Sequence, residues 1–138
     1  MPDVVSCLLL YEDKLLILKR SDRVGTYKGR WGVVAGYVEP DEDPYETALK
    51  EIQEEAGLAQ DDVKLIKKGP PVHCPDIHEG KTYDWMIHPF IFKIEKKGKI
   101  QIDWEHTAYK WIPPHEITHY ETVPCLQEIV QHSLVNRV

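Results

Sequence analysis

Gly36-Tyr37-Val38-Glu39-Pro40-Asp41-Glu42-Asp43-Pro44-Tyr45-Glu46-Thr47-Ala48-Leu49-Lys50-Glu51-Ile52-Gln53-Glu54-Glu55-Ala56-Gly57-Leu58 contains a helix with both of its ends written into it. Asp43 has the side chain of an N-cap, Pro44 suits the first helical position, and Glu46 stands where a capping box places its glutamate. Gly57 is the residue that leaves a helix most easily through a left-handed cap. Between these marks Tyr45, Ala48, Leu49, Ile52 and Ala56 recur at i, i+3, i+4, i+7 and i+11, which is one apolar stripe for docking on a sheet.

Beside that stripe Glu51, Glu54 and Glu55 share a surface, because side chains three and four positions apart lie over one another on a helix. Like charges at these spacings destabilise an isolated helix by a few tenths of a kcal/mol per pair, roughly, so the arrangement asks for a counter-charge. A solvated acidic face is the ordinary reading of such a run. The alternative gains from Gly36 and Glu42, which lie in the loop leading off an apolar run and bring a main-chain carbonyl and a further carboxylate toward the same point. Hard divalent cations take oxygen ligands and share their coordination with water and substrate phosphates, so this half-cage suits Mg²⁺, with Mn²⁺ as the alternative.

Outward from the helix the chain reads as β-structure. Val4 to Leu10 and Leu15 to Leu18 have the spacing of a hairpin, and Trp31 to Ala35 is predicted as one buried strand. Strands are also predicted at Val63 to Lys68, at Tyr83 to Ile94 with a bulge at Pro89, and at Tyr109 to Ile112. Lys96 to Lys99 reads as a turn into a short strand, Ile100 to Ile102. A second amphipathic helix begins near Pro124 and carries Leu126, Ile129, Val130 and Leu134 on one side. Strands, helix, strands, helix, with two apolar helical faces to bury, predict an α/β fold: a mixed β-sheet with helices on both faces.

The remaining composition limits the function. The 138 residues suit a single domain, 1–138, and the net charge of −6 disfavours nucleic acid as a partner. An acidic protein can still act on a phosphorylated small molecule if a cation reverses the local field. Cys7, Cys74 and Cys125 are far apart and odd in number, which favours a reducing, cytoplasmic setting, and no stretch reads as a signal peptide or membrane span. His73-Cys74-Pro75-Asp76-Ile77-His78 crowds metal-binding side chains together but in no zinc spacing. Gly69 to Thr82 is predicted as a long pocket-shaping loop. Arg20, Lys28 and Arg30 are candidate phosphate contacts, and Trp85, Tyr83 and Tyr109 are either base-stacking or sheet residues.

The run from Gly36 to Leu58 resembles the Nudix box, G-x5-E-x7-R-E-U-x-E-E-x-G-U with U apolar. Gly36, Glu42, Glu51, Ile52, Glu54, Glu55, Gly57 and Leu58 conform, and Lys50 stands in place of the family arginine. The resemblance implies a Nudix-like α/β/α sandwich that hydrolyses a nucleoside diphosphate linked to another moiety, a small-molecule nucleotide of the nucleotide-sugar, ADP-ribose or triphosphate kind. It implies a metal held by Gly36, Glu51, Glu54 and Glu55, with catalysis by Glu51, Glu54 and a late glutamate, here Glu105. It further implies that Lys50 pairs with Glu42, keeping the charge but not the two-pronged geometry of arginine. Homodimers are common among such proteins. Two alternatives remain: a nucleotide-sensing or partner-binding module that has lost catalysis, and a diphosphate isomerase using Cys74 with a glutamate.

Overall fold

The computed structural model describes residues 1–95, 98 and 100–135. Eight strands form one mixed sheet: β1 (Asp3–Tyr11), β2 (Lys14–Arg20), β3 (Trp31–Gly32), β4 (Val34–Tyr37), β5 (Val63–Lys68), β6 (Val72–His78), β7 (Lys81–Ile94) and β8 (His106–Ile112). Helix α1 spans Pro44–Ala56, and α2, Leu126–Val130, continues as a π-helical turn, Gln131–Val135. Central β1 runs parallel to β7 from Asp3↔Met86 to Leu10↔Lys93 and antiparallel to β4 from Val4↔Tyr37 to Cys7↔Val34. Its far end turns into β2 through Glu12 and Asp13, both at positive φ as a two-residue hairpin requires.

Because β1 is covered on both faces, it reads as a continuous apolar run and not as an alternation. Val5, Cys7 and Leu9 join Ala48, Ile52 and Ala56 of α1 in one core, while Leu8 joins Leu126, Ile129 and Val130 of α2 in the other. Those two layers make the α/β/α sandwich. Helix α1 begins and ends where its sequence says: Asp43 Oδ2 accepts from the Tyr45 N–H (3.1 Å), and Gly57, at φ 74°, donates its N–H to Gln53 O. The cap bond goes to Tyr45, and Glu46 stands outside it.

Several predicted elements take a different form. Trp31 to Ala35 is two strands, since Val33 breaks the run and the chain passes from β2 to β1. Pro89 is no bulge. It stands where β7 exchanges β6 (Val72↔Ile87) for β5 (Lys68↔Phe90), and its carbonyl accepts from the Gly69 N–H; the register shift falls on β5 instead, between Leu65 and Lys67. Gly69 to Thr82 is mostly ordered as β6, joined to β7 by a tight turn at Glu79 and Gly80. Of the turn predicted at Lys96 to Lys99, residues 96, 97 and 99 lie outside the described residues. Ile100 and Ile102 form no strand but pack on the α1 core, with the Gln101 N–H donated to Ala56 O (3.0 Å).

Cys74 and Cys125 form a disulfide across 51 residues, with Cα atoms 6.3 Å apart, and Cys7 is a buried free thiol. This corrects the reading of Cys74 and Cys125 as unpaired. No spacing rule could have joined a sheet residue to a helix start on the far side of the chain. No described helix is long and apolar enough to cross a membrane.

Candidate active site

Among the described residues strand β4 pairs on one side, with β1, so its outer backbone groups are free to meet a side chain. Helix α1 lies along that side. The Ala35 N–H is donated to Glu55 Oε1 (3.3 Å), and the Glu51 carboxylate comes so near Gly36 that a Cβ there would sit 2.4 Å from its Cδ. Any side chain at this position would displace the Glu51 carboxylate. Alternation along the strand turns Gly36 toward the helix and leaves Ala35 and Tyr37 facing a cleft of about 430 Å³.

Glu51, Glu54, Glu55, Gly36, Glu105 and Arg20 all line this cleft. Glu55 is 3% exposed and Glu51 half-buried, whereas Glu54 stands at the exposed rim. Burial raises the Glu55 carboxyl well above the usual range, and the hydrogen bond and charge of Glu51 add to it. Burial likewise raises Glu51, with Glu54 adding to it, and raises Glu105, where Asp103 contributes. Carboxylates in such company are short of positive charge, which is the condition a bound cation relieves.

Glu42 stands apart from the cleft lining. Lys50 Nζ approaches its Oε2 to 2.8 Å, and Glu42 Oε1 also accepts from the Glu39 N–H and the Thr47 hydroxyl, both at 3.1 Å. Its carboxyl is lowered, first by Lys50. The lysine therefore makes the ion pair that the resemblance implied, and the pair fastens the Gly36–Asp43 loop to the second turn of α1.

Among the three candidate cations only Arg20 is in the cleft lining. Burial lowers its guanidinium from the ordinary value, while Glu105 and Glu55 oppose the shift; its Nε is donated to Thr26 O (3.0 Å). Arg30 lies over the Tyr27 ring at 5.2 Å and pairs with Glu121 at 3.4 Å, and Lys28 is exposed away from the lining. Trp85 lines the cleft; Tyr83 stacks behind it at 5.3 Å, and Tyr109 is 42% exposed on β8.

The members of the candidate zinc cluster are each engaged by a different partner. Cys74 is in the disulfide, His73 pairs with Asp84, Asp76 accepts from the Tyr27 hydroxyl (2.6 Å), and His78 Nε2 accepts from the Tyr27 N–H (3.3 Å). With Cys74 bonded, the thiol that the isomerase alternative named is taken. Among the described residues no group of three or more His, Cys, Asp and Glu is disposed as a ready-made metal cage.

Two features in and behind the lining were not read from the sequence. Val123 and Pro124 reach the cleft because the segment around Thr122 bridges to Trp31, with Trp31 N–H donated to Glu121 O and Val123 N–H to Trp31 O. His106 lies buried behind Glu55, its Nδ1 bonded to Asp103 Oδ1 (2.9 Å) and its Nε2 3.9 Å from Glu55 Oε1. The Asp-x-x-His spacing beside Glu105 was the one available hint.

A mixed sheet between two helical layers, with an acidic helix laid along the free side of one strand, places the chain among α/β proteins with a carboxylate-lined cleft. The NUDIX domain model matches residues 1–132, and the chain belongs to the Nudix hydrolase family. The nucleoside triphosphatase NudI of Escherichia coli K12 is 29% identical over 125 residues, covering 85% of this chain and 86% of that protein. Among solved structures, the E. coli dihydroneopterin triphosphate pyrophosphohydrolase superposes with a TM-score of 0.80 at 19% identity, over 98% and 96% of the two chains. A C. elegans Ap4A hydrolase complex gives 0.77 at 16% identity, over 95% and 93%. At these identities the structures establish the shared fold.

Proposed function

We propose that this Nudix hydrolase works with a divalent cation, Mg²⁺ in the first instance, to split the phosphoanhydride bond of a nucleoside diphosphate linked to a further group. The observation that carries this reading is the seating of the helix carboxylates on the unpaired side of β4, with the Ala35 N–H donated to Glu55 Oε1 and the Glu51 carboxylate packed against Gly36. The donors are all oxygen, burial raises both Glu51 and Glu55, with Glu51 raising Glu55 further, and the cluster is open on the cleft side. That set fits Mg²⁺, which keeps several waters and shares substrate phosphates instead of filling a protein cage.

Gly36 through its carbonyl, with Glu51, Glu54 and Glu55, would hold the cation, which when bound acidifies water and screens phosphate oxygens. Glu51 orients the attacking water or takes its proton, a role suited to a carboxyl whose basicity burial has raised. Glu105, also raised, is the second group able to hold a proton in the cleft. Arg20 supplies a fixed positive charge beside them for the phosphate oxygens, since a guanidinium stays protonated even after the shift it undergoes here. Lys28 and Arg30 have no such position, so the phosphate contact we assign is Arg20.

The test is release of phosphate or nucleoside monophosphate from a panel of nucleotides with Mg²⁺ and with EDTA. Nucleoside triphosphates and dinucleoside polyphosphates lead the panel, because the relative and the structural neighbour named above carry those activities in their names; nucleotide sugars and ADP-ribose follow. Turnover should vanish in EDTA, and Glu54→Gln should lower kcat about 100-fold or more, on the scale of losing one preorganised electrostatic contact. A wild-type protein inert toward the whole panel would instead be a binding module that kept the fold.

A further inference from the structure

Opposite the carboxylates the cleft has a wall of aromatic faces. Val4 pairs with Tyr37 on one side and Ile87 on the other, so Tyr37 and Trp85 rise from β4 and β7 with β1 between them, roughly 10 Å apart at the backbone. Their side chains close that gap over Val4: the Trp85 Nε1–H is donated to Tyr37 Oη (3.2 Å). Tyr27 continues the wall with its ring centroid 6.2 Å from that of Trp85, and Tyr83 supports Trp85 from behind at an interplanar angle of 14°. Although Tyr37 is an aromatic residue, it is left 56% exposed, and all three of the wall residues Tyr27, Tyr37 and Trp85 line the cleft.

Apart from the Tyr37 O–H, which can turn to donate to or accept from any base, the polar atoms of this wall are already engaged. Trp85 spends its N–H on Tyr37, and Tyr27 donates its hydroxyl to Asp76 Oδ2 (2.6 Å), where burial and the Asp76 carboxylate push the phenol up and keep it protonated. Beyond that hydroxyl, what remains for a ligand is ring surface beginning one residue after Gly36. Stacking on a ring face is available to every base, whereas discrimination between bases needs free donors and acceptors aimed at base edges.

Resting on the hydrolase reading of the same cleft, we infer that Tyr37 and Trp85 form the recognition ledge for a planar nucleobase and that it reads the base by its face alone, accepting purine and pyrimidine nucleotides alike. The sequence offered Trp85 as either a stacking or a sheet residue; its position on the ledge, propped by Tyr83 and latched to Tyr37, makes it the former. The predicted partner Tyr109 takes no part.

The experiment compares kcat/KM for ATP, GTP, CTP and UTP with that for inorganic tripolyphosphate, which offers the same anhydride without a base. The four nucleotides should fall within about tenfold of one another. Trp85→Ala should lower the ratio of nucleotide to tripolyphosphate kcat/KM about 10- to 100-fold, chiefly through KM, and Trp85→Phe, which keeps a face and loses the N–H, should recover most of it. Far-UV circular dichroism and Tm identify a variant that fails to fold, in which case Trp85→Phe and Tyr37→Ala carry the comparison. A single nucleotide favoured by more than about 100-fold, or an equal loss on tripolyphosphate, overturns the inference. Should the wild type hydrolyse none of them, calorimetric binding of the four nucleoside monophosphates against ribose 5-phosphate decides the ledge separately: similar affinities that Trp85→Ala abolishes support it, and no preference over ribose 5-phosphate sinks it.

Discussion

At the level of single residues, the helix and the sheet meet at Gly36. Its φ is not in the left-handed region, so the need for glycine is one of space: the added methyl of Gly36→Ala would meet Glu51 Cδ at 2.4 Å. The Glu51 carboxyl must then move, and a displacement of about 1 Å in a catalytic group costs on the order of 100-fold in rate. We expect kcat to fall by that order while Tm changes little, since the Glu51 side chain can swing toward the cleft; an unchanged kcat would separate Gly36 from the chemistry. Glu55 leads to a second expectation. Its carboxyl is raised in the folded chain by burial and by Glu51, whereas in the unfolded chain it titrates near 4.3. Above about pH 4.3 the folded state therefore binds more protons than the unfolded one, and this group's contribution becomes increasingly unfavourable as pH rises through the folded pKa. In EDTA the wild type should lose Tm as pH rises above about 4.3. Glu55→Gln should lose less over the same interval, and Mg²⁺ should restore the wild type at pH 7.5 by binding the folded state. An identical pH slope in both proteins would contradict the assignment.

Among the elements, α1 was legible from end to end, because its information is local. Capping aspartate, proline, apolar stripe and terminal glycine lie within fifteen consecutive residues and answer to the geometry of a single helix. Asp43→Ala should cost about 1 kcal/mol in urea denaturation. Gly57→Ala should cost more than about 1 kcal/mol, because alanine must take φ 74° and its Cβ would meet Gln101 Cβ at 2.9 Å. The strands were less legible where pairing partners change. Trp31 to Ala35 has one apolar run but two neighbours, and Pro89 marks a change of partner on the far strand, which no pattern along β7 could disclose. The loop predicted from Gly69 to Thr82 for its prolines and glycines became β6 because His73 to His78 alternates faces, and Pro75 sits in a strand that, among the described residues, is bonded to β7 on one side. For the same reason the carboxylates on α1 could be grouped in advance, whereas the Val123–Pro124 edge of the cleft could not.

Across the whole molecule the cleft is assembled from segments that a single covalent link ties together. Cys74 lies on β6, whose partner strand carries Trp85, and Cys125 directly follows Pro124 at the start of α2, so the disulfide fixes the aromatic wall to the edge of the cleft opposite α1. In the chain-entropy account, closing 51 residues stabilises the folded state by up to about 4 kcal/mol. Reduction by a thiol tests this more cleanly than substitution, because Cys74 is fully buried and Cys74→Ala adds a packing loss of its own. We expect thiol treatment to lower the denaturant midpoint measurably and to raise KM more than it lowers kcat. Val123 and Pro124 contact the space where substrate lies, whereas Glu51, Glu54 and Glu55 are held by α1 and the β4 edge, neither of which depends on the link. Should reduction instead reduce kcat with KM unchanged, the carboxylates and not the wall would be what the disulfide positions. A midpoint unmoved by thiol, with three sulfhydryls titrating in denaturant before treatment, would mean that the core around α2 holds this edge without it.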